Sequence, residues 1–301
     1  MGIVLTPRHI TKFAAEALDV ALSDVIFDPT VGTGGFLVAA FDHVKKNADE
    51  AQINKFKKQS VYGIDIQPQF AALAIVNMIF RGDGKNNIIE GDCFTEWVQG
   101  TKKSDGTVGS PIHYVLQKPA NEELNVVTKV LMNPSFATNN PNDIKEYRVV
   151  QRALEQMAKG GVLFSVLPVG AMLEGGEELE WRKNTLVKKN TVLAVVTLPP
   201  DLFYQAGVGV HTLGLFVKKG IPHPRDQKVL WVRAVHDGFI KEKTRRVLEA
   251  KEPNDLETSL PLIKAFIHDQ NFKIPSSPEF CKLAPIDFDD PQFELVPEAY
   301  I

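Results

Sequence analysis

The sequence predicts an α/β fold: a seven-stranded, mostly parallel sheet with helices on both faces and an irregular C-terminal extension. Three observations carry this. Short β-branched runs alternate with longer stretches whose apolar residues recur at helical spacing. The first four runs each close on a polar residue, where open parallel sheets gather their ligands. Hydrophobic residues make up 44% of 301 positions and charged residues 24%, enough apolar material for a packed core.

In order, the expected strands are DVIFDP (24–29), VYGIDI (61–66), NIIEGD (87–92), KVLMNP (129–134), GVLFSVLP (161–168), TVLAVVTLP (191–199) and TLGLFVKKG (212–220). Buried parallel strands read as such near-continuous apolar runs. Helical spacing marks GGFLVAAFDHVKK (34–46), PQFAALAIVNMIF (68–80), EYRVVQRALEQMAK (146–159) and ELEWRKNTLVKK (178–189). A leading helix is expected over 6–20, with Thr6 as its N-cap and Pro7 in its first turn. Residues 98–128, rich in Lys, Gly, Ser, Pro and Asn, are too long for a strand connection and read as a surface insertion. Residues 250–301, rich in Pro and acids with anchors such as PLIKAFI, read as an irregular tail.

The net charge is −3, so a grip on DNA through phosphates would need a local cluster or a partner. The basic run KEKTRR (241–246) is either a solvated helix face or the lining of a DNA channel. Cys93 and Cys281 have no metal-ligand or disulfide spacing and fit a reducing, cytoplasmic compartment. The amino terminus has no signal pattern, and no apolar run reaches about 18 residues, so no membrane association is expected.

The chemistry concentrates at the strand ends. In DPTVGTGGF (28–36) the glycines let the turn approach a ligand just where a helix begins, although a plain strand-to-helix turn looks the same. No Lys follows Gly35, which disfavours a Walker loop, and the G-x-G-G order disfavours a dinucleotide fingerprint. A nucleoside with a charged, phosphate-free tail remains. Asp65 can accept from both ribose hydroxyls or cap the following helix, and Asp92 can accept from an adenine amine or close a tight turn. After the fourth strand come Asn133, Pro134 and Phe136. An amide oxygen and a neighbouring carbonyl can take both hydrogens of an NH₂ group, and a ring beside them can stack on a flat base. Those two bonds free the amine lone pair for attack, which leaves positioning as the main task and calls for no metal.

Taken together, TPRHITKF, DPTVGTGGFLVAA, GIDIQPQFAALAIVNMIFRGDG, GDCF, LMNPSF, GGVLFSVLP, LPPDLFYQAGVGVHTLGLFVKKG and HDGFIKEKTRR resemble, in order, the amino-group DNA methyltransferases. The likeness is nearest to the modification subunits of type I restriction–modification systems and related fused enzymes, and covers about residues 5–246. It implies a Rossmann-like methyltransferase fold, S-adenosylmethionine as donor and adenine N6 of DNA as acceptor, with the base taken out of the duplex. Thr6 and the loop of Asp28, Thr30, Gly32, Gly34 and Gly35 would hold the methionine part. Asp65 would take the ribose and Asp92 the adenine, with Ile66 and Cys93 in the same pocket. Asn133, Pro134 and Phe136 would hold the target adenine, and Tyr204 or His211 would stack on its other side.

The resemblance also implies partners: DNA, a specificity subunit or fused target-recognition domain, and a restriction subunit. Residues 1–246 would be the catalytic domain, and 247–301 an extension or the junction to a recognition domain, at FELVPEAYI (293–301). Pro134-Ser135 stands where the family usually has Pro-Pro, and Val31 where it often has Cys. The helical domain that precedes the first motif in such subunits has no counterpart in these residues, as expected of an excised core or a short chain. Two alternatives stay open: a methyltransferase acting on an RNA base or a protein amide, and a decayed scaffold that only binds cofactor.

Overall fold

The computed structural model describes residues 4–82, 87–116, 118, 122–138, 140–204, 209–243, 245–274 and 278–301. Residues 205–208, in the loop before the last expected strand, and Thr244 of the basic run lie outside the described residues. The chain divides into two compact units, Arg8–Pro134 with Arg148–Phe164, and Met1–Pro7 with Ser135–Tyr147 and Ser165–Ile301.

The first unit holds β1 (Ile26–Asp28), β2 (Val61–Asp65), β3 (Asn87–Glu90), β4 (Trp97–Lys102), β5 (Val108–Val115), β6 (Val127–Met132) and the start of β7 (Met157–Pro168). Its helices are α1 (Arg8–Ala17), α2 (Gly35–Lys45), α3 (Glu50–Gln59), α4 (Pro68–Ile79) and most of α5 (Glu146–Gln156). Within it the sheet order is β7-β6-β1-β2-β3. β1 pairs in parallel with both β2 and β6, and β2 with β3, so the carboxyl ends of these four strands share one edge. All three residues of β1 are buried, as a strand flanked on both sides must be. The leading helix starts at Arg8 and stops at Ala17, short of the expected end, because the chain turns at Asp19 with φ +47°. α3 has no counterpart among the expected helices. Asp49 and Gln52 form a reciprocal capping box at its start.

The 98–128 stretch folds as an antiparallel hairpin of β4 and β5. It is anchored from inside: Trp97 and Val98 are buried. The Tyr114 hydroxyl donates to the Asn87 carbonyl at 2.6 Å and accepts from the Gly63 N–H at 3.0 Å.

The second unit holds α6 (Gly170–Leu173), α7 (Glu177–Trp181), α8 (Val187–Lys189), β8 (Thr191–Thr197), β9 (Thr212–Lys218), β10 (Lys228–Arg233), β11 (Phe239–Glu242), β12 (Arg245–Leu248), α9 (Asp255–His268) and β13 (Cys281–Pro285). Its sheet runs β13-β10-β8-β9, with β8 parallel to β10 and antiparallel to β9. The helix expected over 178–189 is interrupted by a π turn, Arg182–Leu186. There the fully buried Arg182 donates to the carbonyls of Phe293, Ala171 and Gln292 at 3.0–3.1 Å.

All seven expected strands are present, and the fold is α/β with a mostly parallel sheet. β10 and β13 add to the sheet of the second unit. The tail is less irregular than its composition predicts: it supplies α9 and β13, and Tyr300 stacks on Trp231 of β10 at 3.8 Å. No helix among the described residues is long and apolar enough to cross a membrane.

Candidate active site at the carboxyl edge of the sheet

Four strand ends of the first unit build the site. β1 ends at Asp28, and the loop to α2 turns through Gly32 at φ +52° and Gly34 at φ +80°. The Val31 N–H donates to the Ile64 carbonyl at 2.8 Å, and the Gly34 N–H to the Val31 carbonyl at 2.8 Å, which closes the turn against β2. α2 then begins at Gly35, with its free amide end facing the loop. A Cβ at Gly34 would lie 3.2 Å from the Ala74 Cβ, so both space and φ demand glycine here. Gly34→Ala is expected to cost about 1–2 kcal/mol, read as a lower midpoint in urea unfolding at unchanged slope. An unchanged midpoint would show that the loop relaxes freely.

Asp65, ending β2, ties this loop to the next one. One carboxylate oxygen accepts from the Gly32 N–H and the other from the Gln67 N–H, both at 2.9 Å. The carboxylate therefore caps the turn into α4 and braces the glycine loop, with lone pairs left over for a ligand. Beside it Ile66 is 66% exposed, an apolar surface next to an acid. After β3, the Gly91 N–H donates to the Asp65 carbonyl at 3.0 Å. The Asp92 carboxylate accepts from the Phe94 N–H at 2.9 Å. Cys93 is buried, and burial, with the Asp92 charge second, pushes its thiol up to about 12. The Cys93 carbonyl accepts from Arg152 Nε at 2.7 Å, and Arg152 lies 3.2 Å from the centre of the Trp97 ring. α5 thus holds the Asp92 turn.

Asp28 is 1% exposed and accepts from the Thr30 N–H at 3.0 Å. Burial raises its pKa well above the usual carboxylate range, and the nearby Asp65 charge adds to the rise against the opposing Thr30 N–H. On the same edge β6 delivers Asn133, half-buried, and Pro134, buried.

The remaining expected residues belong to the second unit. Phe136 is 6% exposed, and its ring stands edge-on to Phe203 at 5.7 Å and 82°. Tyr204 is 39% exposed, with Lys241 Nζ 3.5 Å from its ring centre. His211 is exposed, and its carbonyl accepts from the Val169 N–H at 3.0 Å. Thr6 is half-buried. The basic run lies on the β11–β12 hairpin rather than on a helix. Its Arg246, 7% exposed, is held by Asp237 and Asp201, whereas Arg245 points outward. The packing partners Phe203 and Arg152 were not legible, since each meets its partner across a long stretch of chain.

Comparison with known proteins shows the family to which the chain belongs. The family model described as N-6 DNA methylase covers residues 1–301. A curated relative, the type II restriction enzyme and methyltransferase RM.BcgI of Heyndrickxia coagulans, is 33% identical over 81% of this chain and 35% of its own length. The type I restriction enzyme HindI methylase subunit of Haemophilus influenzae is 26% identical over 100% of this chain and 63% of its own. The chain thus spans from about a third to somewhat under two thirds of the length of these two relatives. Among solved structures, the type I restriction–modification methyltransferase subunit from Streptococcus thermophilus superposes with a TM-score of 0.63 at 19% identity, over 94% of this chain and 56% of that one. The EcoKI M protein does so at 0.58 and 18%, over 91% and 74%. These two likenesses speak for the fold. With the family model matched from end to end over strand ends of this arrangement, the chain belongs to the N-6 DNA methylase family.

Proposed function

We propose that the chain is the catalytic part of an S-adenosylmethionine-dependent DNA methyltransferase acting on adenine N6, the modification component of a restriction–modification or related defence system. The observation that carries this is the shared edge of β1, β2, β3 and β6. There Asp28, Asp65 and Asp92 precede Asn133-Pro134 in one compact unit.

The cofactor fits what is present. The glycine loop leaves open space above Gly32, where an added Cβ would meet only the Thr30 carbonyl, at 3.9 Å. Asp65 keeps free lone pairs beside the exposed face of Ile66, which suits a ribose joined to a flat base. Asp28 sits in the loop that would hold the methionine part, and a cationic ligand would favour its ionised form against burial. When bound, S-adenosylmethionine supplies an electrophilic methyl group.

The chain's own part is positioning. The Asn133 side-chain oxygen and the Pro134 carbonyl accept the two N6 hydrogens, which disfavours delocalisation of the nitrogen lone pair and turns it towards the methyl. Phe136, behind them in sequence, stacks on the base, and Tyr204 or His211 closes the other side. The flipped base is reached only after unstacking from the duplex. With a net charge of −3, and with Arg246 engaged by acids, grip and sequence choice fall to a specificity subunit or fused recognition domain, with a restriction subunit as a further partner. The buried Cys93 and Cys281, neither of them in a disulfide, suit a reducing cytoplasm.

Two experiments test this. Calorimetry should show S-adenosylmethionine binding, weakened by at least roughly 10- to 150-fold in Asp65→Ala, since even one hydrogen bond to a charged group is worth about 1.5–3 kcal/mol. Incubation with cofactor, unmethylated DNA and a specificity subunit, followed by digestion, should yield N6-methyladenine. Methylated RNA or protein amide would redirect the reading to those substrates, and binding without any product would leave a scaffold.

A further inference from the structure

The loop after Asn133 has one locked backbone angle, at Pro134, because Ser135, Phe136 and Ala137 have no ring to fix φ. Yet this loop must hold two acceptors and an aromatic ring to within a fraction of an ångström. Something else must restrain it. The Ala137 N–H donates to Oε1 of Glu146, the first residue of α5, and Glu146 is 6% exposed. One residue further on, the Thr138 N–H and hydroxyl both donate to Asp143 at 2.8 and 2.7 Å, but that pair lies at the surface, where water competes. Glu146 therefore supplies the water-shielded tie. Its own base is firm: the adjacent Tyr147 is buried, donates its hydroxyl to Glu177 at 2.7 Å and packs on Trp181 at 5.4 Å.

We propose that Glu146 is a positioning residue for methyl transfer: by holding the Ala137 amide it fixes the backbone of Phe136 and so the stacking face for the target base. This rests on the function proposed above. Glu146 bonds the loop backbone and is assigned no contact with cofactor or base. Its effect reaches the chemistry through the loop, so it should appear in kcat rather than in cofactor affinity. An amide oxygen can accept the same N–H, so Glu146→Gln should preserve the tie and Glu146→Ala should abolish it.

The test compares wild type, Glu146→Ala and Glu146→Gln in three measurements: amide exchange of peptides spanning 134–140, calorimetric affinity for S-adenosylmethionine, and methyl transfer to unmethylated DNA in the presence of a specificity subunit. The expected result is faster exchange and a roughly tenfold or greater fall in kcat in the Ala variant, as misplacement of reacting groups produces. Cofactor affinity and the KM for DNA stay unchanged, and the Gln variant stays near wild type. Unchanged exchange in the Ala variant overturns the proposal, as does faster exchange with unchanged kcat. A parallel loss of cofactor affinity and kcat in both variants also overturns it, since that is general destabilisation. A wild type that binds cofactor but methylates nothing removes the proposed function itself, and this role with it.

Discussion

Asn133→Ala is expected to lower kcat for methyl transfer by about 10²–10³-fold, the loss typical when one preorganised polar group at a reacting centre is removed. Affinity for S-adenosylmethionine should stay unchanged. The argument is geometric. Asn133 follows β6, while the three acids assigned to the cofactor end or follow β1, β2 and β3. Truncation removes one of the two acceptors proposed for N6 and leaves the glycine loop braced by Asp65 as before. Asn133→Asp is the sharper control, because it keeps an acceptor oxygen but adds a charge. Partial activity there would show that acceptance of a hydrogen is what Asn133 supplies. The idea fails if the Ala variant turns over at the wild-type rate, or if its cofactor affinity falls in step with its rate.

The strands were legible because a buried parallel strand leaves a continuous apolar run, and all seven stood where such runs predict. The polar residues that close the first four runs were legible for the same reason: a strand's last residue meets solvent or ligand, and Asp28, Asp65, Asp92 and Asn133 do follow their strands on one edge. What failed lay at boundaries and in pairs. The apolar pattern expected to run as helix to Lys159 changes to strand at Met157, with no turn residue to mark the change. α3 buries only Ile53 and Phe56, too few for a periodic signal, although Asp49 and Gln52 of its capping box were there to be read. α9 was hidden by Pro261 inside it, a residue that normally argues against a helix interior, while its Asn254 cap gave the opposite sign. Glu146 looked like any acid opening a helix. Its bond to Ala137 exists only once the loop has turned back.

The basic run 241–246 marks the limit of charge counting and leads to the largest stability effect. Arg246 donates to both oxygens of Asp237, at 2.8 and 2.7 Å, and approaches Asp201 at 3.1 Å. Its side chain is 7% exposed and that of Asp237 1%. Burial alone would lower the pKa of Arg246, but its bonds to Asp237 and the two acid charges reverse this and raise it. Arg246→Ala strands a buried carboxylate and should destabilise the chain by about 3–5 kcal/mol in urea unfolding, whereas an exposed pair would cost under about 1 kcal/mol. The loss is not the net worth of the pair. Arg246→Met combined with Asp237→Leu removes both charges and should recover much of the stability lost in Arg246→Ala, because the one acid left behind, Asp201, is a third exposed and reaches water. Asp201 begins the turn that carries Phe203, the ring standing against Phe136, so the single variant should also loosen that aromatic contact. A loss below about 1 kcal/mol would mean that water reaches Asp237 once the guanidinium is gone. Arg246 would then join the exposed Lys241, Lys243 and Arg245 as a candidate for a DNA contact.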